Sequence, residues 1–402
     1  MDARRPRALY LLDHTPYPPL SGGSRRAAMI IAALQDSFDV TIAAADDPEA
    51  PIPGWREASM RFMARRRSRR MVAMDAIEGL IRGQHGLLVR SMHAGILAVV
   101  DSWLHEVRPE LVVLCRPMLA PYLRAARASG ARVVVDADES LVKIAVSVAR
   151  SRSAPLRNRL RFAIEALAVG RMERSAYPDA DQLWTSSGEE KPWLASFSGS
   201  ARVFVIPNAV DVPAEAPAAP EIHAVGFLGW YRYPPNEAAA IELMESIMPA
   251  IRAAGGPSRL VLIGAEPTAA MRAAAARLTD VKITGFVADV IAELRGVGVL
   301  VAPIRSGGGT RVKILEAMAA GVPVVSTPLG VEGLGLQDGE HFLLADRPAE
   351  FARQVSTLAR DQAARSRLVS ASFEVLTSQH SNEAVRSAVA TALSSLHWGS
   401  AG

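Results

Sequence analysis

Cysteine is nearly absent from this chain of 402 residues, which holds Cys115 alone. A disulfide within the chain is therefore excluded, and so is a metal site built from several thiolates. Cys115 sits in the apolar run 111–115 and reads as a small buried residue on a strand. Aromatic residues make up only 5% of the chain, and none are interleaved with basic residues as base stacking would require. That removes nucleic acid as a partner. Nowhere is there a run of about 18 apolar residues, the length a spanning helix needs. The basic start MDARRPRALYLLDH breaks its short apolar stretch at Asp13, so no secretory signal is expected and a cytoplasmic location is. No G-x-G-x-x-G follows a strand with an acid about 20 residues further on, which disfavours a dehydrogenase. Solenoid-type repeats and low-complexity tracts are missing too.

What is present is half hydrophobic, enough for sizeable cores, in a length that suits two domains. The formal charge is +4, and the excess is local. Arg65, Arg66, Arg67, Arg69 and Arg70 crowd the stretch 61–70, with Phe62, Met63 and Met71 beside them. This stretch reads either as a basic amphipathic helix touching anionic lipid or an acidic acceptor, at the inner membrane face, or as a solvated face or mobile loop.

Strands and helices alternate along the chain. Strands are expected at 8–12, 38–43, 111–115, 131–136, 181–185 and 202–206, and helices at 24–35, 117–129 and 158–176. Gly22 and Gly23 fall in the loop after the first strand, where ligands bind in doubly wound sheets. Asp136 and Asp138 close the strand 131–136. An Asp-x-Asp pair can hold a metal between phosphates, but a loop acid facing a cleft is the better reading of Asp138. The alanine- and proline-rich stretch 208–221 has the composition of an extended linker. After it the pattern restarts: strands at 225–229, 259–263, 281–283, 297–301, 323–326 and 342–344, helices at 236–254 and 268–278, and a helical tail. The expected domains are 1–207, 222–378 and a C-terminal helix, 379–402.

One stretch organises the rest: 305–323, RSGGGTRVKILEAMAAGVP. A buried strand leads into Gly307, Gly308 and Gly309, and a helix is expected to start near Thr310 as its N-cap. Val312, Leu315 and Ala319 repeat at core spacing. Arg311, Lys313 and Glu316 are left to act elsewhere. Helix N-termini hold phosphate because their first N–H groups lack partners and the dipole favours an anion. A carboxylate about one and a half turns further in suits hydroxyls such as those of a ribose. The combination points to a sugar nucleotide.

The sequence GGGTRVKILEAMAAGVPVVSTPLGVEGL resembles the donor-binding signature of family 4 glycosyltransferases, in the branch of exopolysaccharide and lipid-linked oligosaccharide synthesis. The resemblance implies a GT-B fold: α/β, two Rossmann-like doubly wound domains facing a central cleft, with the C-terminal helix crossing back. It implies a retaining hexosyltransferase that uses a nucleoside diphosphate sugar, with a glycan or lipid-linked acceptor, no other cofactor and no metal. Glu316 would hold ribose hydroxyls. The backbone of Gly307, Gly308, Gly309 and Thr310 would lie on the donor, and Gly285, Phe286 and Val287 on the base. Gly22 and Gly23 would close over the diphosphate. Arg311, Lys313, Glu316 and Asp138 are the expected catalytic set. The chain also departs from the family. The first acid of its Glu-x7-Glu pair is Gly308 here, the basic pair after the first C-terminal strand is replaced in GFLGWYRYPPN, and its N-domain histidine is Asp138. Two other readings stay open: a nucleotide-binding scaffold without turnover, and a sugar-nucleotide epimerase.

Overall fold

The computed structural model describes residues 4–12, 16–17, 22–44, 60–62, 94–150, 156–308, 311–396 and 398. Two compact units divide the chain: Met1–Pro207 with Val385–Gly402, and Asn208–Ala384.

In the first unit the order is β1 (Arg7–Leu12), α1 (Gly22–Leu34), β2 (Asp39–Ala44), β3 (Met60–Phe62), α2 (Ala94–Val107), β4 (Leu111–Cys115), α3 (Leu123–Ala128), β5 (Arg132–Asp138), α4 (Leu141–Arg150), α5 (Leu156–Ala176), β6 (Gln182–Thr185), α6 (Lys191–Ala195) and β7 (Arg202–Val205). The strands pair in parallel in the order β3-β2-β1-β4-β5-β6-β7. The order reverses at β1, as it does in doubly wound sheets. β4 and the middle of β5 are buried on both faces, Cys115 included, which is why they read as continuous apolar runs.

In the second unit the order is β8 (Ala224–Leu228), α7 (Pro234–Glu242), α8 (Met248–Ala253), β9 (Arg259–Ile263), α9 (Ala269–Ala275), β10 (Val281–Gly285), α10 (Val290–Val297), β11 (Gly298–Ala302), α11 (Val312–Ala319), β12 (Val324–Ser326), β13 (Leu343–Leu344), α12 (Pro348–Arg360) and α13 (Gln362–Gln379). All ladders are parallel, in the order β10-β9-β8-β11-β12-β13, with the reversal between β8 and β11. The last helix, α14 (Asn382–Ser394), packs with the first unit from Val385 onward. No helix among the described residues is long and apolar enough to cross a membrane.

Four sequence expectations change. Gly22 and Gly23 are the first turn of α1 rather than a loop before it. A Cβ on Gly23 would come within 2.1 Å of the Arg116 guanidinium, so the glycine there makes room for an arginine. Arg61 and Phe62 lie in the edge strand β3, not in a helix; the remainder of 61–70 lies outside the described residues. The stretch 208–221 packs on the second unit: Asn208 and Ala209 are buried, Val210 and Val212 touch its core, and Pro217 lies against Gly321. The helix expected over 236–254 is interrupted by a π turn at Leu243–Ile247. Pro249 follows at once and has no N–H to continue the regular ladder, which displaces the bonding pattern before it.

Candidate functional site

The reversal point of the second sheet brings two loops together, one after β8 and one after β11. Tyr233 ends the first loop and Pro234–Pro235 open α7, proline being pre-set for a helix start. Gly307 lies in the second loop at φ +100°, a backbone state that needs glycine. A Cβ there would be 2.6 Å from the Tyr233 hydroxyl and 3.0 Å from Pro235. The glycine is thus required twice, by conformation and by contact.

Arg311 is the N-cap residue of α11, one position beyond the expected Thr310. Gly309 and Thr310 themselves lie outside the described residues. Arg311 is buried, and its guanidinium is turned onto its own loop: Nε donates to the Leu329 carbonyl at 3.1 Å, Nη2 to Gly307 at 3.1 Å, and Nη1 to Gly308. Its planar fork holds three carbonyls of two loops at once. In this structure the guanidinium is a clamp on the glycine loop.

Lys313 points at the first loop. Its ammonium donates to Asn236 Oδ1 at 2.6 Å and sits 4.5 Å from the centre of the Phe227 ring. Asn236 is fixed in turn by donating to the Trp230 carbonyl at 2.9 Å. Burial pushes the Lys313 pKa down, the Arg311 charge adds to this, and Glu316 opposes it; the value falls to about 7. Glu316 follows three positions later, on the same side of α11, and is buried at 8% exposure. The arrangement offers a poised cation, a helix N-terminus and a buried carboxylate within one turn. The first two suit an anion and the third suits hydroxyl groups.

Gly285 ends β10 at φ +73°. Its carbonyl accepts from Gly264 N–H at 3.2 Å and from the Thr284 hydroxyl at 2.8 Å. Phe286 is exposed at 64%, and Val287 packs against the second core. These three lie at the carboxyl end of the sheet, two strands from β8 toward the other edge.

The remaining expected residues belong to the first unit. Asp138 ends β5 at φ +57°, 3.6 Å from Arg26 Nε. Its neighbour Asp136 is fully buried and takes a bidentate ion pair from Arg26 at 2.6–3.1 Å, while Arg26 Nη1 reaches the Ile206 carbonyl. Burial opposes the Arg26 charge, but Asp136 and Asp138 outweigh it and raise the pKa further. Arg26 thus ties α1 to β5 and to the residue that follows β7. The reading of a paired metal-binding Asp-x-Asp does not fit it.

Sequence reasoning missed Asn236, Tyr233 and Trp230. The signal was the Pro234–Pro235–Asn236 run, which marks a helix start directly after a strand.

Residues 222–361 match the family described as Glycosyl transferases group 1. The matched segment contains every second-unit residue of this site. Over 196 residues the chain is 29% identical to the phosphatidyl-myo-inositol mannosyltransferase of Mycobacterium leprae; the match covers 46% of this chain and 51% of that protein, so the chain spans about half the length of the curated relative it matches. Among solved structures, Anabaena HepE in complex with UDP and glucose aligns with a TM-score of 0.66 at 16% identity, over 97% of this chain and 100% of that one. Sucrose-phosphate synthase from Thermosynechococcus elongatus aligns with a TM-score of 0.69 at 16% identity, over 96% and 98%. At these identities the likeness is one of fold: two doubly wound α/β units of the GT-B type.

Proposed function

We propose that this protein is a retaining glycosyltransferase that moves a hexose from a nucleoside diphosphate sugar to a glycan or lipid-linked acceptor. The observation that carries the reading is the junction of Gly307, Lys313 and Glu316 at the reversal point of the second sheet. The diphosphate lies against the loop Gly307–Gly308 and the start of α11, with Lys313 supplying positive charge. Glu316 accepts hydrogen bonds from the ribose hydroxyls, and the Gly285–Phe286 turn lies by the base. As the bond from the anomeric carbon to the diphosphate oxygen lengthens, negative charge grows on that oxygen. Fixed N–H groups and Lys313 stabilise it without reorganising, which is electrostatic catalysis with no protein nucleophile. The acceptor hydroxyl attacks from the face the diphosphate leaves, and its proton passes to the departing diphosphate. The configuration is therefore kept, and no metal enters this account. Asp138, on the first unit, is assigned to the acceptor side. The relative's name, a mannosyltransferase acting on phosphatidyl-myo-inositol, is in keeping with a lipid-linked acceptor.

The test is a thermal-shift screen against UDP, GDP, ADP and their sugars, because a ligand bound only by the folded form raises the melting temperature. One nucleotide class should stabilise the protein, and Glu316→Ala should abolish the shift. Release of that diphosphate in the presence of acceptor separates a transferase from a scaffold. A new sugar nucleotide formed with no acceptor present would mean an epimerase instead.

A further inference from the structure

The described residues leave seven large hydrophobic side chains exposed, and four of them lie on one helix of the first unit: Leu156, Leu160, Ile164 and Leu167, at 77%, 64%, 53% and 72% exposure. They recur at i, i+4, i+8 and i+11, which places them within about a quarter turn of α5 and along about 16 Å of its length. The opposite face of the helix is committed to the fold. Val169 and Glu173 are buried there, and Gly170 lies against Val142 of α4. Among the described residues, the outward stripe therefore has no core to serve.

Charge identifies what covers it. Arg157 and Arg161 flank the stripe, and Arg171 and Arg174 continue it for two further turns, all four exposed. The helix has only two acids: Glu173 is buried, and Glu165, at 20% side-chain exposure, lies 3.9 Å from Arg161. A second copy of the chain is a poor occupant, because a two-fold interface sets each surface against itself and would bring arginines onto arginines. A surface that is apolar below and anionic above satisfies both sets of side chains. Leucines enter the boundary between headgroups and acyl chains, while arginines stay among the phosphates.

We propose that α5 is an interfacial helix that docks the first unit on an anionic lipid bilayer through Leu156, Leu160, Ile164 and Leu167. The residues invoked are different from those of the arginine run 61–70, and the inference does not rest on the transferase reading.

The test spins the full chain with vesicles of phosphatidylglycerol and phosphatidylcholine, and with vesicles of phosphatidylcholine alone. The protein is expected to sediment with the anionic vesicles, to be released by salt, and to stay in solution with the neutral ones. Leu160→Ser combined with Leu167→Ser should weaken the partition by about tenfold or more. Both sites face solvent, so the melting temperature and the nucleotide-induced shift should not change. The same loss should appear in a background where Arg65, Arg66, Arg67, Arg69 and Arg70 are all alanine. Equal sedimentation of the serine variant and the parent overturns the proposal, as does no sedimentation with anionic vesicles. A dimer in lipid-free solution that the serine changes split also overturns it, by assigning the stripe to a second copy.

Discussion

Lys313 carries a charge that its surroundings resist. Unfolded, a lysine keeps its proton to about pH 10.4; folded, burial and Arg311 bring Lys313 down to about 7. Between those values the unfolded chain binds more protons, so this group makes the ligand-free protein more stable as pH rises through the window. A diphosphate bound beside Lys313, as proposed, would restore the proton. Nucleotide binding near pH 8 should therefore take up protons, seen as a buffer-dependent heat in titration calorimetry, and affinity should decline from pH 7 towards 9. Lys313→Met should remove both effects, and equal heats in all buffers would place the phosphates elsewhere. Arg311 acts differently, through the three carbonyls it holds. Arg311→Lys keeps the charge but cannot reproduce the fork. It should cost about 2–3 kcal/mol in denaturant unfolding, the scale of hydrogen bonds to a charged group, and should weaken nucleotide binding by loosening Gly307 and Gly308.

Among elements, the α4–α5 pair rests on a carboxyl group in an unfavourable setting. Glu173, fully buried on α5, accepts from Leu141 N–H at 3.1 Å at the start of α4, and from the Ser140 and Tyr177 hydroxyls at 3.4 Å. Burial raises its pKa to about 7, against the lowering pull of these donors. An unfolded glutamate titrates near pH 4.3, so the folded chain holds the extra proton between about 4.3 and 7. Stability from this group is greatest below that window and falls as pH rises through it. Glu173→Gln should flatten the fall, measured as melting temperature across pH 4.5–7.5; a parent curve that rises over this range, with the variant parallel to it, would contradict the assignment. The strand positions were legible because parallel strands buried on both faces read as apolar runs, as at Leu111–Cys115 and Arg259–Ile263. Helix ends were less so. The first turn of α1 contains two glycines, whose low helix propensity is a local signal of a loop, whereas Arg116 pressing on Gly23 is a tertiary effect. The strand β3 is hidden because arginine content signals a helix or loop, although an edge strand tolerates and even benefits from charge.

For the whole molecule, the glycine loop was found from its own sequence, because glycines, a cation and an acid at fixed spacing need no partner to be recognised. Its closure by Tyr233, Pro235 and Asn236, some 75 positions earlier in the chain, needed the β8–β11 pairing to be seen. The same long-range logic governs the chain's end. Val385, Val389, Ala392 and Leu393 of α14 are buried in the first unit, and the Ala392 carbonyl and Ser395 hydroxyl both accept from Gln182 of β6, at 2.7 and 2.8 Å. Burying each of the two valines and the leucine contributes about 1.5–3 kcal/mol, and Gln182 would be left with unpaired donors inside the unit. A chain ending at Ala384 should therefore lose much of the stability of its first unit while keeping the second unit's loops intact. In scanning calorimetry, a transition insensitive to nucleotide should move to lower temperature, and the nucleotide-sensitive transition should stay in place and still shift with ligand. If the truncated chain instead lost its nucleotide response with its first transition unchanged, α14 would be supporting the loops of the second unit rather than the first sheet.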